Sequence, residues 1–223
     1  MENKVSSEIR HSVWQKLYLG FKRCVGFVLS FIGLTVLLPV FLIVAIAIKL
    51  DDGGPVFFCQ ERLCRGGKVM KMYKFRSMKV NAEHTGSGVY SNDSDPRITR
   101  VGKILRKTSL DELPQMLNIL KGDMAFVGPR PALTYHPWPY EQYTDHQKHM
   151  FDVRPGITGW AQINGRKEVP WPERIELNIW YVEHVSLWLD IKILFLTVFK
   201  VLRNEGNENK GATAPEGNKE ETK

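Results

Sequence analysis

Residues 25–48 read VGFVLSFIGLTVLLPVFLIVAIAI, without a single charged side chain. How this run lies decides what kind of fold the chain adopts. A helix that crosses a bilayer needs about 20 apolar residues, so the run is long enough to span. It is too long for the apolar part of a cleavable leader, and no small-residue cleavage site follows Lys49-Leu50-Asp51-Asp52. Pro39 lies inside it. Proline lacks a backbone N–H and clashes with the carbonyl four residues back, here that of Thr35. The Thr35 hydroxyl is placed to bond a backbone group freed by such a break. Charge adds a second clue. Lys4, Arg10, Lys16, Lys22 and Arg23 precede the run and Lys49 follows it. No acid then interrupts the basic residues from Arg62 through Arg65, Lys68, Lys71, Lys74 and Arg76 to Lys79. Basic flanks stay in the cytoplasm, and here both flanks qualify. A kinked spanning helix and a re-entrant helix-break-helix both satisfy the pattern, since proline kinks are tolerated in spanning helices.

Outward from this run the chain turns polar and mixed. We expect an α+β, mainly helical, membrane-associated fold. It has a membrane element over 1–50, a folded domain over 51–203 and a disordered tail over 204–223, which lacks apolar residues. Residues 56–59 and 69–75 are β-like around Arg65-Gly66-Gly67-Lys68, which predicts a hairpin. Residues 82–96 (AEHTGSGVYSNDSDP) predict a mobile polar loop. Helices are predicted over 97–107, 112–121 with Gly122 as its C-cap, and 171–184. The apolar stretch 185–202 contains Asp190, Lys192 and Lys200, and reads as an interfacial amphipathic helix or a buried core helix.

The chemistry concentrates in 106–131, RKTSLDELPQMLNILKGDMAFVGPRP. Asp111 and Glu112 fall where a helix begins. Ser109 and Glu112 have capping-box spacing. Taking Asp111 as N-cap instead keeps Pro114 within the first turn, where its missing N–H does no harm. Either start puts Asp111 at the positive end of a helix dipole. Arg106 and Arg130 bracket the pair, and arginine forks match phosphate oxygens. Carboxylates with open coordination suit Mg²⁺, which takes one or two of them plus substrate phosphates. Neighbours on a helix do not face the same way, so the two acids take separate roles. The 62–79 run reads as a binder of anionic headgroups or a diphosphate, or as a solvated face, and within it Lys74 and Arg76 flank a lone aromatic. The Gly-rich loop carrying Arg154, Gln162 and Arg166 is a candidate nucleotide-sugar loop.

Composition narrows the partners. Net charge is +7 and 43% of residues are hydrophobic. Positive charge suits nucleic acid, anionic lipid or phosphorylated substrates. Nucleic acid is set aside because no zinc-finger, basic-zipper or RNP-type motif occurs. Cys24, Cys59 and Cys64 are odd in number without metal-like spacing, which fits a reducing compartment. The six histidines make no metal pattern.

The segments YKFRSM (73–78), 95–131, VRPGITGWAQINGR (153–166) and LDIKILFLTVFKVL (189–202) resemble the bacterial sugar transferase family, the monotopic phosphoglycosyl transferases. The likeness runs from about Leu17 to Arg203. It implies transfer of a phospho-sugar from a UDP-sugar to polyprenyl (undecaprenyl) phosphate, releasing UMP, with Mg²⁺ as cofactor. This is a first membrane step in polysaccharide or glycoconjugate synthesis. By the resemblance, Asp111 is nucleophile in a ping-pong mechanism and metal ligand, and Glu112 completes the catalytic dyad. Lys74, Arg106 and Arg130 bind substrate phosphate. The membrane element is re-entrant, broken at Pro39, with the catalytic domain on the cytoplasmic face of the inner membrane. This chain has Leu38-Pro39 where better-known members have Ser-Pro, so Pro39 carries the break without a neighbouring serine hydroxyl. The longer members' N-terminal four-helix module has no counterpart in the sequence, which reads as a short form. A homodimer is left open. The rival readings are an inactive membrane-bound binding protein of the same fold and a lipid-phosphate phosphatase.

Overall fold

The structure, a computed structural model, describes residue 9 and residues 11–85, 95–165 and 169–203. The expected tail over 204–223 and most of the expected mobile loop lie outside the described residues.

Helix α1 (Val13–Val36) begins well before the apolar run. Its start is a capping box: Gln15 N donates to Ser12 Oγ at 3.2 Å and Ser12 N to Gln15 Oε1 at 2.9 Å. It ends at Leu37, whose φ of −87° and ψ of 2° leave the helical region. Helix α2 (Leu38–Asp52) starts at once, with Pro39 in its first turn, where the missing N–H costs nothing. The proline therefore sits at a helix start and not in a helix interior. The backbone ladder runs up to Leu37 N donating to Gly33 O (2.9 Å) and resumes with Phe41 N donating to Leu37 O (3.0 Å). The Thr35 hydroxyl does not serve the break as expected. It donates to Phe31 O at 2.9 Å, a carbonyl inside α1, which lies within its reach one turn back. Only Gly26 and Ser30 of α1 are buried. Among the described residues α1 alone is long and apolar enough to cross a membrane.

Strands β1 (Phe57–Leu63) and β2 (Val69–Phe75) form the expected antiparallel hairpin, in register Phe57 to Phe75 and Leu63 to Val69. Helix α3 (Arg100–Thr108) starts three residues later than predicted because Thr99 caps it, its Oγ1 accepting from Gly102 N at 2.9 Å. A Cβ on Gly102 would lie 1.9 Å from Ser77 O, so α3 packs onto the chain leaving β2 only through glycine. After α4 (Gln115–Lys121) comes an element the sequence pattern did not predict. Strands β3 (Ala125–Val127) and β4 (Gly156–Thr158) pair in parallel. Between them lies the short α5 (Asp145–Lys148), and after them α6 (Trp160–Ile163). Helices α7 (Trp171–Glu183) and α8 (Leu187–Arg203) follow, close to prediction.

The core ties the N-terminal helices to the rest. Val44 and Ile48 of α2 pack with Phe75 and Leu105. Tyr18 and Leu19 of α1 pack on Val127, Tyr181, Val182 and Ile193. A polar knot fixes α1 against α7 and α8. Asp190 faces Lys22 Nζ at 2.6 Å and accepts from the Tyr18 and Tyr181 hydroxyls at 2.5 and 2.6 Å. Helix α8 buries Asp190 and Ile193 and exposes Trp188, Ile191, Phe195 and Val198. It is amphipathic, as the sequence pattern predicts.

Candidate active site

The acid pair does not open a helix. Helix α3 ends at Ser109, which adopts a left-handed conformation (φ 57°, ψ 17°). A tight 3-10 turn over Leu110–Glu112 follows, closed by Glu112 N donating to Ser109 O and Leu113 N to Leu110 O, both at 3.2 Å. Pro114 then caps α4. The predicted helix 112–121 thus loses its first turn, and Ser109 makes no side-chain cap. The physical reason is local backbone: Ser109 is left-handed, and Glu112 and Leu113 close three-residue bonds in place of a first α-helical turn. Asp111 consequently sits upstream of α4 and not at its N-cap.

Four elements bring the site's charges together. Strand β2 delivers Lys74, whose Nζ lies 2.9 Å from Glu112 Oε1 and 3.9 Å from Asp111 Oδ2. The last turn of α3 delivers Arg106. Arg130 follows β3, and its Nη2 lies 3.9 Å from Glu112 Oε1. The β3–β4 pair fixes this exit, through Gly128 N donating to Thr158 O and Gly156 N to Pro129 O, both at 2.9 Å. Burial raises the Asp111 carboxyl above its ordinary range. The Lys74 ammonium pulls it back, Glu112 pushes it up, and Arg106 and Arg130 pull it back again.

Asn118 is a residue the sequence reading missed. It is fully buried in α4, its Oδ1 accepting from Tyr73 N at 3.0 Å and its Nδ2 donating to Lys71 O at 2.7 Å. Two amides, Gln115 and Asn118, set at helical spacing among Met116 and Ile119 were the available signal. The two bonds staple α4 to the β2 backbone just before Lys74, and so hold lysine and acid pair in register.

The other candidates lie elsewhere. Arg76 is buried and pairs with Asp52 at the end of α2, and not with the acid pair. Arg154 donates from Nε to Gly122 O at 2.7 Å, at the far end of α4. That is roughly 10 Å along the axis from its start. Gln162 lies in α6, not in a loop, and donates to Ile157 O of β4 at 2.8 Å. Arg166 lies outside the described residues. The structure therefore gathers Lys74, Arg106, Asp111, Glu112 and Arg130, and does not bring Arg76, Arg154 or Gln162 to them.

Known proteins carry the same arrangement of sequence. Over 189 residues the chain is 46% identical to the UDP-glucose:undecaprenyl-phosphate glucose-1-phosphate transferase of Escherichia coli K12, covering 82% of this chain and 40% of that protein. Over 169 residues it is 43% identical to the undecaprenyl-phosphate galactose phosphotransferase of Salmonella typhimurium, covering 70% of this chain and 35% of that protein. An uncharacterized sugar transferase of Bacillus subtilis, EpsL, is 48% identical over 160 residues, 71% of this chain and 76% of that protein. The chain thus spans about two fifths of the length of the two enterobacterial relatives. Residues 17–204 match the family of bacterial sugar transferases. That match takes in every described element from the first turns of α1 to the end of α8, so the chain belongs to the bacterial sugar transferase family.

Proposed function

We propose that this chain moves a sugar-1-phosphate from a UDP-sugar to a polyprenyl phosphate, giving polyprenyl-diphosphate-sugar and UMP. The observation that carries the reading is the buried Asp111 beside Glu112, with Lys74, Arg106 and Arg130 around them. Phosphoryl transfer is catalysed mainly by positioning and charge neutralisation, and this cluster supplies both. An Asp111 carboxylate oxygen attacks the sugar-bearing phosphorus. The bond from that phosphorus to the bridging oxygen breaks, and UMP leaves with the bridging oxygen. A polyprenyl phosphate oxygen then attacks the same phosphorus and displaces Asp111. Lys74 holds Glu112 at 2.9 Å and stays 3.9 Å from Asp111, so the second acid occupies the lysine while the first keeps its lone pairs for phosphorus.

Mg²⁺ fits this donor set. Among the described residues no three acids, histidines or cysteines gather into a cage. Mg²⁺ needs none when one or two carboxylates are completed by substrate phosphates. Asp111 would hold it, and the ion would neutralise diphosphate charge. UMP release from UDP-glucose, UDP-galactose and an N-acetylated UDP-amino sugar, with polyprenyl phosphate present, tests the reading. Release from at least one donor is expected. Free inorganic phosphate in its place would mean a phosphatase, and no product from any donor would mean a binding protein.

The same reading places the chain on the cytoplasmic face of the inner membrane. Phe21, Phe31 and Val36 of α1, Leu42 and Ile43 of α2, and Trp188 and Phe195 of α8 are all exposed. That much apolar surface is rarely left in water. The one-residue break at Leu37, with basic residues on both sides, supports a re-entrant α1–α2 element. Cysteines replacing Lys16 and Lys68, in a chain lacking the native cysteines, should both resist a membrane-impermeant thiol reagent in intact cells. Both should react once the cells are permeabilised. Labelling of one site from outside would make the element spanning.

A further inference from the structure

The reaction as derived leaves one nearby guanidinium unused. The end of β1 pairs with the segment after Arg130: Arg62 bridges Leu133, and Leu63 N donates to Ala132 O at 2.9 Å. This sets Arg62 beside Arg130. Its fork is filled by neutral acceptors. Nε and Nη2 donate to Gln60 Oε1 at 3.0 and 2.5 Å, and Nη1 donates to Pro131 O at 3.1 Å. These bonds orient the guanidinium without cancelling its charge. Burial pushes the Arg62 pKa down to about 10, and the Arg130 charge pushes the same way. The group is still cationic at neutral pH. Tyr135, Glu83 and Glu112 offset part of this, and Glu112 also faces Arg130 at 3.9 Å, but two arginines held side by side still attract a further anion.

Beyond Arg62 the same chain segment leads to aromatic rings. Tyr135 is exposed, and the His136 ring meets Trp171 edge-on at 5.3 Å. The Arg174 guanidinium lies over the partly exposed Trp171 ring at 4.5 Å. Burial, then the charges of Arg62 and Arg174, hold His136 below its ordinary range, so its ring is neutral. Neighbour by neighbour, Glu112 faces Arg130, Arg130 acts on Arg62, Arg62 on His136, and His136 meets Trp171, so the sequence of groups is acid pair, arginines, flat rings. A nucleoside diphosphate sugar has the matching order of sugar phosphate, second phosphate, base.

We infer that Arg62 binds the nucleotide-side phosphate of the donor together with Arg130, and that Trp171, with His136 at its edge, seats the base. The inference rests on the proposed reaction. In that reaction the nucleotide-side phosphate changes from a singly charged ester-anhydride to the doubly charged monoester UMP as the bridging bond breaks. A fixed guanidinium there gains attraction as the bond breaks, which is the condition for helping the step and not only the binding. Base stacking on an aromatic side chain then supplies affinity that the phosphates do not.

The test uses the full chain and two probes, UMP and inorganic diphosphate, measured by calorimetry, with UMP release from the UDP-sugar followed in parallel. Arg62→Gln should weaken both probes by about tenfold or more and slow UMP release, and Arg62→Lys should restore part of the binding. Trp171→Leu should weaken UMP at least about fivefold while inorganic diphosphate binds as in wild type, and Trp171→Phe should bind UMP nearly normally. Wild-type UMP affinity in Arg62→Gln overturns the phosphate assignment. Equal loss of both probes in Trp171→Leu, or no loss of either, overturns the base assignment. A wild-type chain that binds UMP through these residues yet releases none from any UDP-sugar would overturn the proposed reaction instead.

Discussion

Asp111→Asn is expected to abolish turnover. An amide is a poor nucleophile toward phosphorus and a poor Mg²⁺ ligand, while asparagine keeps the shape of the buried position. Intact-mass measurement of the wild type with UDP-sugar and no lipid acceptor should show a phospho-sugar adduct on a peptide containing Asp111. The Asn variant should show none. The same residue sets a pH dependence whose sign follows from its surroundings. Burial raises its pKa, and in the proposed reaction the ionised form attacks, so the rate should rise as pH passes upward through that raised value. Lys74 opposes the rise and Glu112 adds to it, with Arg106 and Arg130 opposing. A fully active Asn variant, or an adduct elsewhere, would remove Asp111 from the mechanism.

Asp190→Ala should be among the most destabilising single changes in the chain. Lys22 and Asp190 are 13% and 7% exposed, and Asp190 also takes the Tyr18 and Tyr181 hydroxyls. Removing the acid leaves the Lys22 ammonium with only the Tyr181 hydroxyl to accept from it, and takes the acceptor from the half-buried Tyr18 hydroxyl and the buried Tyr181 hydroxyl. Breaking one side of a buried ion pair costs about 3–5 kcal/mol. For a chain of this size that lowers the melting temperature by roughly 10 °C. Replacing both partners, Lys22→Met with Asp190→Leu, should recover much of the loss, because no orphan charge is left. Thermal unfolding of the purified chain compares the three. A single variant that melts with the wild type would mean that water reaches Lys22 and the knot does not tie α1 to α8.

Local pattern made much of the fold legible. The β-like segments either side of Arg65-Gly66-Gly67-Lys68 marked the hairpin, Gly122 marked the end of α4, and the apolar stretch 185–202 with its three charges marked α8. Such signals are local because each rests on the residues of one element. The β3–β4 pair had no comparable signal. Each strand has three residues, too few for a period, and the partners lie about thirty residues apart. The turn at the acid pair was misread as a helix start because Ser109, by capping-box spacing, and Asp111, by type, both read as N-caps. The left-handed Ser109 and the 3-10 turn over Leu110–Glu112 override both.

The site divides the same way. Residue type and order alone pointed to Asp111, Glu112, Arg106 and Arg130, because carboxylates and arginine forks are what a metal and a phosphate ester require, while Lys74 joined them only through the family resemblance. The resemblance added their roles. Their convergence was not readable. It depends on Asn118 bonding the β2 backbone, on the parallel β3–β4 pair aiming Arg130, and on Arg76 being drawn to Asp52, all of which join residues distant in sequence. The chain by itself determined which chemical groups are present and which local elements carry them, since those follow from side chains and nearest neighbours. Only the tertiary structure decided which cations face the acid pair and how far Asp111 is buried. Packing between distant segments excludes water there, and excluding water is what raises the Asp111 pKa and strengthens the pull of the charges around it.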